Sequence, residues 1–318
     1  MNSYIAGFAD DKKRLDVFLS EKIEGLTRSQ AKKQVEAGRF FVNDKAVSGH
    51  HFLKEGDEIV EREIETSGDE DAEDREQDDS EVVSMSAKDL KIIEERADWV
   101  IVYKPCGVLM HPDHRNPKGT LIDALIEKYP EIAKVGEDPM RPGIMSRLDK
   151  DVSGMVIIAR TQDAFDHLKK QFAEHSIEKH YTALVYGEME DEEGDIRFRI
   201  GRSQTKARMA AMPEGSDKGQ AAWTHYVVEK RYADATLLDL QILTGRTHQI
   251  RAHLFALKHP IIGDVLYKPK SVVRHIHADR LLLQSRSLSF IDPASGESLS
   301  FSIPLDADFE EALGKLKE

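Results

Sequence analysis

A run of acidic residues divides this chain of 318 residues into two parts. Between Glu61 and Glu81 there are 12 acidic and 2 basic residues, and residues 66–81 contain no large apolar side chain. A segment of this composition cannot bury enough apolar surface to offset the entropy lost on ordering, so we expect it to be flexible. The sequence therefore predicts a small domain at 13–63, an acidic linker at 64–86 and a larger domain at 87–318.

Charge is unevenly distributed along the chain, which bears on what the chain binds. The net charge is −13, but residues Glu61–Glu81 alone contribute −10, whereas Lys12–Lys54 holds 10 basic and 5 acidic residues. Because Lys and Arg make most contacts with nucleic-acid phosphates, the basic small domain is a candidate RNA-binding domain in spite of the overall charge. We interpret the acidic linker as a solvated spacer; the alternative is a strap that competes with RNA for the small domain.

The small domain has the pattern of a compact α+β unit. Apolar residues at helical spacing, Leu15, Phe18 and Leu19, predict one helix, and a capping box at Thr27 opens a second helix that ends at Gly38. Short strands are predicted at 40–42, 46–47 and 56–60.

These elements and their residues resemble the S4 RNA-binding domain. The resemblance is carried by Arg14-Leu15-Asp16, Ser29, Gly38, Val42-Asn43 and Gly56-Asp57-Glu58-Ile59. Taken alone, cations on a helix surface are ordinary solvated residues more often than ligand contacts. Within an S4-like pattern, three cations of the second helix are expected to bind RNA: Arg28, Lys32 and Lys33.

Several classes of protein are excluded or disfavoured by what the sequence lacks. The single cysteine, Cys106, excludes an internal disulfide and a zinc site of paired thiolates, and indicates a reducing compartment, the cytoplasm. Apolar runs such as Trp99–Tyr103 are far shorter than the roughly 18 residues needed to cross a bilayer, and no secretory signal opens the chain. The motifs of dinucleotide-binding, P-loop, zincin and serine-esterase sites are missing as well. We expect no membrane contact and no metal.

The larger domain mixes strand and helix patterns. Strands are predicted at 99–103, 155–159, 181–186, 235–243 and 288–291, and helices at 121–128, 164–174 and 248–257. In the fourth strand Leu238, Leu240 and Ile242 alternate with polar residues, as expected where one face of a sheet is buried.

One dense group of charged residues lies on a loop that leads into a strand. Two acids and two cations follow one another between Arg147 and Asp151, just before the apolar run Met155–Ala159. In extended backbone Arg147 and Asp149 would share a face while Leu148 points into the core. A structural ion pair would explain such a loop equally well.

A second dense segment, 243–254, passes from a strand into a helix. Ile250 and Leu254 share one helical face, with Arg251 beside it near the helix N-terminus. His248 and His253 lack an accompanying carboxylate pattern, so a hydrogen-bonded or substrate-positioning histidine is favoured over a metal ligand. Two further segments stand out: a strand with Tyr181 at 179–187 and a Pro- and Gly-containing loop at 104–112.

Together these segments resemble the RluA/RluD-type pseudouridine synthases. The matching motifs are Arg-Leu-Asp-Lys-Asp-x-Ser-Gly at 147–154, Lys-x-Tyr-x-Ala-x-Val-x-Gly at 179–187 and Gly-Arg-Thr-His-Gln-Ile-Arg-x-His-Leu at 245–254. With the Lys-Pro-x-Gly loop and the S4-like head, the resemblance covers nearly the whole chain. His111-Pro112 followed by Gly119-Thr120-Leu121 favours the RluD-like branch over the RluC-like branch, which also carries an S4 domain. The chain departs from the family in having Ser146 where His usually precedes Arg-Leu-Asp.

The resemblance implies a fold and a reaction. The fold is α+β: a small S4-like RNA-binding domain, joined by the acidic linker to a catalytic domain with an extended, mostly antiparallel mixed sheet flanked by helices. The reaction detaches uracil from C1′ of its ribose and reattaches it through C5, which requires no cofactor. By resemblance Asp149 is the catalytic carboxylate; attack at C1′, addition at C6 and removal of a ribose proton all remain open, since each needs the same residue type.

Other residues receive roles from the same resemblance. Arg251 forms a salt bridge that keeps the buried Asp149 charged, Ile250 packs on the uracil, and Tyr181 stacks on the flipped base and assists proton transfer. Arg147 fills the vacated place in the RNA stack and contacts phosphate. Substrate contacts are also expected from Arg246 and His248. A basic stretch with no acid is expected to grip the RNA backbone: Arg197, Arg199, Arg202, Lys206 and Arg208.

Two other functional classes remain at this stage. A non-catalytic ribosome-assembly factor on the same fold should lose Asp149 or Arg251, and both are present. A glycoside hydrolase with Asp149 and Asp151 as an acid and base pair would need carboxylates several ångströms apart across a cleft. The expected partner is large-subunit (23S) ribosomal RNA, possibly within pre-ribosomal particles, with other rRNA or tRNA targets as the alternative for an RluC-like enzyme, and the chain is expected to act as a monomer.

Overall fold

The protein is represented by a computed structural model in which the chain forms two compact units, Met1–Arg75 and Glu76–Glu318. The structure describes residues 3–7, 10–23, 26, 28–36, 39–43, 45–48, 51–61, 82–113, 116–203, 206, 208–268, 276 and 278–316. Most of the predicted acidic linker, residues 64–81, lies outside the described residues.

The small unit combines two helices with an antiparallel sheet. Its elements are β1 (Ser3–Ile5), α1 (Leu15–Lys22), α2 (Arg28–Glu36), β2 (Phe40–Val42), β3 (Lys45–Ala46) and β4 (Glu58–Glu61). The sheet order is β1-β4-β2-β3. Leu15, Phe18 and Leu19 are fully buried, which confirms the apolar face predicted for α1. The cap at Thr27 and the stop at Gly38 lie outside the described residues.

The larger unit is built on strands from most of its length. They are β5 (Lys91–Glu95), β6 (Trp99–Lys104), β7 (Ser153–Ala159), β8 (Glu178–Tyr186), β9 (Glu193–Ile196), β10 (Arg199–Arg202), β11 (Met209–Met212), β12 (Thr224–Tyr232), β13 (Ala235–Ile242), β14 (Leu283–Ile291) and β15 (Ser298–Ser302). Its helices are α3 (Leu121–Lys128), α4 (Gln162–Ala173), α5 (Gln249–Ala256) and α6 (Ala307–Gly314). Among the described residues, no helix is long and apolar enough to cross a membrane.

One large sheet organises this unit. Its order is β5-β6-β7-β14-β8-β13-β12-β9, with β15 paired to β14, and within the described residues only the β7–β14 pairing is parallel. The predicted mostly antiparallel mixed sheet flanked by helices is therefore confirmed. Strands β10 and β11 form a separate hairpin.

Strand β7 is an inner strand of the large sheet, between β6 and β14. All seven of its residues are buried because both faces are covered, as expected for a continuous apolar run. Val156 and Ile158 face the main core, while Met155 and Ile157 face a second core that includes Leu168 of α4.

The entry into β7 depends on a glycine. Gly154 has a φ of +123°, and a Cβ there would collide with the backbone carbonyl oxygen of Ser285 on β14. The Ser-Gly pair after the charged loop therefore permits the close parallel pairing with β14 that fixes where this loop ends.

The ends of several predicted segments differ from the sequence expectation, among them those of α5 and of the linker. Helix α5 begins at Gln249 rather than at His248, since His248 takes a left-handed conformation with a φ of 52°. Of the predicted linker, the described part packs onto the larger unit: Met85 is buried in the main core and its N–H donates to the carbonyl oxygen of Gly119 at 2.9 Å. The prediction that the flexible linker reaches residue 86 is therefore wrong for its last residues.

Candidate active site

The charged loop before β7 is held at its base by a buried lysine. Lys104, at the end of β6, is fully buried, and its Nζ donates to the carbonyl oxygens of Pro105 (2.9 Å), Val108 (2.8 Å) and Lys150 (2.8 Å). Burial lowers the pKa of Lys104 to about 7, while three carbonyl acceptors use all three N–H bonds of the ammonium form. The lysine of the predicted Lys-Pro-x-Gly loop therefore fixes the backbone of Lys150, the residue that follows Asp149.

Asp149 lies at the tip of this loop, next to α5. Its Oδ2 is 3.4 Å from Nη1 of Arg251 and 3.7 Å from Nε2 of His248. Its side chain is 24% exposed, whereas that of Arg251 is 3% exposed, so a substrate can reach the carboxylate but not the cation behind it. Leu148 between the two charged neighbours is buried in the main core, as predicted.

The charge state of Asp149 follows from this setting. Burial alone would raise the pKa of its carboxyl, but the imidazole of His248 and the guanidinium of Arg251 hold that pKa below its ordinary value. Burial also lowers the pKa of His248 to about 4, so His248 is uncharged at neutral pH. The main cation that keeps Asp149 ionised at neutral pH is therefore Arg251.

The strongest partner of Arg251 is a residue that sequence analysis missed. Asp264 has a fully buried side chain and accepts two hydrogen bonds from Arg251, at 2.8 Å from Nε and 3.0 Å from Nη2. Burial disfavours the Arg251 charge, but the Asp264 carboxylate outweighs this and raises the pKa of Arg251 above its ordinary value. Arg251 thus points Nη1 at Asp149 because Asp264 occupies the rest of its fork.

Tyr181 and Ile250 form the apolar side of the site. Both are buried members of the main core, Tyr181 on β8 and Ile250 in the first turn of α5. Burial, and then the negative charge of Asp149, raise the pKa of Tyr181, so its phenol stays neutral at physiological pH. Ala183 and Val185 face the same core as Tyr181, since alternate residues of a strand share one face.

Two predicted substrate-binding arginines lie outside this buried group. Arg147 is half-buried, and its charge contributes to lowering the pKa of Asp149. Arg246 is exposed on the turn before α5, where its Nε donates to the carbonyl oxygen of Ala221 at 3.1 Å. The structure therefore brings together Asp149, Arg251 and His248 directly, with the two arginines nearer to solvent.

The cations expected to bind RNA are placed in different surroundings. In the hairpin, Arg202 and Lys206 are exposed, whereas the Arg208 guanidinium lies 4.5 Å from the ring centre of Phe255 and 4.6 Å from that of Tyr267. Arg208, which was predicted to contact the RNA backbone, is thus half-buried and packed against two aromatic rings.

In the small unit, Arg28 is exposed and Lys32 half-buried on α2; the side chain of Lys33 lies outside the described residues. In the described part of the chain, no group of three or more His, Cys, Asp or Glu residues is arranged to hold a metal ion.

Comparisons with known proteins identify the fold and the reaction. The family model for RNA pseudouridylate synthases matches residues 98–256, which include Asp149, Tyr181 and Arg251, and the S4 domain model matches residues 13–59. The chain belongs to the RNA pseudouridylate synthase family. The expectation drawn from the three sequence motifs is confirmed, and the protein is an RNA pseudouridine synthase with an S4 domain.

Individual relatives agree with this family. An RNA pseudouridine synthase of Synechocystis is 32% identical over 307 residues, covering 96% of this chain and 89% of the relative. The ribosomal large subunit pseudouridine synthase D of Vibrio parahaemolyticus is 31% identical over 317 residues, covering 95% and 91%. Among solved structures, human RNA pseudouridylate synthase domain containing 1 superposes with a TM-score of 0.55 at 28% identity, covering 70% of this chain and 89% of the human one.

Proposed function

We propose that Asp149 is the catalytic carboxylate and that the synthase acts on large-subunit (23S) ribosomal RNA. The observation that carries the first part is a partly exposed carboxylate that Arg251 keeps ionised, beside the buried Tyr181 and Ile250. Pseudouridine formation needs such a charged group at the ribose or the base, since the bond from C1′ to N1 must break before the bond to C5 forms.

The neighbouring residues fit distinct steps of this reaction. A paired or stacked uridine has to leave the RNA helix to reach Asp149, and Arg147 at the loop would take its place in the stack. Tyr181, kept neutral, stacks on the detached uracil and carries a hydroxyl suited to assist in moving the proton from C5. Ile250 packs on the base, and Arg246 and His248 contact the substrate.

The S4 domain and the hairpin supply contacts away from the reaction. Exposed cations, Arg28 on α2 and Arg202 and Lys206 on the hairpin, are suited to phosphate contacts, which set affinity and orientation more than base choice. We place the domains at 13–63 and 87–318 with the acidic linker between them, its last residues packed on the larger unit. The enzyme acts as a monomer in the cytoplasm, without metal or cofactor.

The target is inferred from relatives. The relative from Vibrio parahaemolyticus is named a ribosomal large subunit pseudouridine synthase, and it spans nearly the whole chain. Mapping pseudouridine in ribosomal RNA from cells with and without the gene tests this target. We expect one or more large-subunit positions to lose pseudouridine in the deletion and to regain it with the wild-type gene but not with Asp149→Asn. Unchanged large-subunit RNA together with a lost tRNA site would contradict the target and favour the RluC-like alternative.

A further inference from the structure

Tyr267 is a buried tyrosine that none of the motifs includes. It lies beyond the end of α5, in a turn in which Oδ1 of Asp264 accepts hydrogen bonds from the N–H groups of Leu266 and Tyr267, both at 2.9 Å. The side chain is 1% exposed. The same carboxylate that holds Arg251 therefore also sets the position of Tyr267.

The aromatic ring is fixed on several sides. The guanidinium carbons of Arg208 and Arg251 lie 4.6 and 5.2 Å from its centre, and the rings of Phe255 and His248 meet it edge to face at 5.8 and 5.9 Å. Such packing leaves the hydroxyl one direction to point. It points between the hairpin strand β11 and the imidazole of His248.

Hydrogen-bond chemistry assigns a single direction to the contacts of this hydroxyl. The carbonyl oxygen of Met209 can only accept, so the Tyr267 hydroxyl donates to it at 3.0 Å. Nη1 of Arg251 can only donate, so Nε2 of His248 accepts from it at 3.2 Å. The neutral imidazole then has its one proton on Nδ1, which donates to the Tyr267 oxygen at 3.3 Å.

These hydrogen bonds connect the proposed catalytic carboxylate of Asp149 to the backbone of β11. From Arg251 they run through His248 and Tyr267 to the backbone of β11, and the same Nη1 of Arg251 is shared with Asp149 at 3.4 Å. Without the Tyr267 oxygen, the His248 proton could move to Nε2, where it would face the Arg251 cation and push Nη1 away from its present place.

We propose that Tyr267 is a positioning residue of the synthase, whose hydroxyl holds His248 in the tautomer that aims Arg251 at Asp149. The inference rests on the proposed catalytic role of Asp149 and Arg251. It assigns no contact between Tyr267 and RNA, so substrate affinity should not depend on the hydroxyl.

Tyr267→Phe tests the proposal, with Tyr129→Phe as the matched control. Tyr129 is also buried, and its hydroxyl donates to Glu95 at 2.7 Å rather than to Asp149, Arg251 or His248. The full-length protein is assayed on transcribed large-subunit rRNA with tritium at uracil C5, since tritium is released when C5 bonds to C1′. We expect Tyr267→Phe to lower kcat about tenfold, the effect of losing the hydrogen bond from His248, with KM unchanged, and Tyr129→Phe to leave both at wild-type values.

A double-mutant cycle with His248→Ala separates positioning from a general structural effect. If Tyr267 acts through His248, Tyr267→Phe should change kcat much less in the His248→Ala background than in the wild type. Equal effects in both backgrounds, or a loss matched by Tyr129→Phe, would overturn the inference. If Asp149→Asn abolishes turnover while Tyr267→Phe is fully active, only the role of Tyr267 is rejected. The proposed function is then supported.

A readout independent of turnover is the tautomer of His248 in the free protein. Imidazole nitrogen and carbon NMR shifts, assigned by comparison with His248→Ala, should show the proton on Nδ1 in the wild type and a mixture in Tyr267→Phe. The proton on Nε2 in the wild type would contradict the proposed chain of contacts.

Discussion

Two sets of charged residues in the larger unit differ in their exposure to solvent. Arg251 and Asp264 are almost entirely buried and joined by two hydrogen bonds, while Arg202 and Lys206 on the hairpin are exposed. A buried charge must be paired, so removing one partner is costly; an exposed charge is solvated with or without a partner. We propose that this difference separates two roles: the buried charges support the proposed chemistry at Asp149, and the exposed charges support attachment to RNA.

The largest effect on turnover should follow from removing the charge of Arg251 from the buried set. Arg251→Met leaves the partly buried Asp149 without its main cation, and we expect turnover to fall about 100- to 1,000-fold at neutral pH. In the wild type the lowered pKa keeps Asp149 ionised from mildly acidic pH upward. In the variant that pKa should rise, so residual turnover should increase with pH over a range where wild-type turnover is flat.

Arg251→Lys is the control for this prediction, since it keeps the cation without the planar fork and should retain more activity at neutral pH. The pH profiles of kcat are the measurement. Wild-type turnover in Arg251→Met at neutral pH would contradict the pairing of Arg251 with Asp149.

The next largest effect, on the free energy of unfolding, should come from Asp264, the buried partner of Arg251. Asp264→Asn leaves the buried guanidinium without its main counter-charge, and we expect a loss of about 3 kcal/mol or more in the free energy of unfolding. Asp239→Asn, at the half-exposed pair with His180, should cost less than about 1 kcal/mol. Urea unfolding of both variants measures this contrast, and similar losses would show that burial does not distinguish the two pairs.

The sequence motifs indicated the residues that we propose to be catalytic, but not the buried residues that hold them in place. Asp149, Tyr181 and Arg251 lie in contiguous motifs, whereas Asp264 and Tyr267 follow α5 in a turn with no local pattern that marks a buried partner. Their roles exist only because this turn folds back on Arg251.

Local signals also explain which elements could be predicted. Helix α3 was predicted with both ends, and a capping box between Thr120 and Asp123 marks its start. Strand β12 was missed: a register shift between Val228 and Lys230 interrupts the alternation that would have marked it.

A smaller effect is expected from the exposed set. Replacing Arg202 and Lys206 with Ala should leave kcat unchanged and reduce the slope of log affinity against log salt by about 1 to 2, since each phosphate contact adds somewhat less than one to that slope. Lys169 and Lys170, on α4 away from the main core, serve as a matched pair whose removal should not change the slope. A lower kcat with an unchanged slope in the hairpin variant would reverse the proposed division of roles.

The smallest effect should come from the acidic linker. If the linker is a spacer, replacing the acids of residues 69–79 with Ser and Gly should raise affinity slightly and equally for substrate and unrelated RNA, because charges in solvent interact weakly beyond about 8 Å. Filter binding with both RNAs measures this. A gain confined to unrelated RNA would favour the competing strap.

The most direct test of the division between buried chemistry and exposed binding is Asp149→Asn, measured for turnover and RNA affinity on the same protein. The change removes the charge of Asp149 but keeps its shape, so we predict no detectable pseudouridine in the RNA while affinity stays within a few-fold of the wild type. Turnover at a tenth of the wild-type rate or more would contradict the assignment of Asp149 as the catalytic carboxylate.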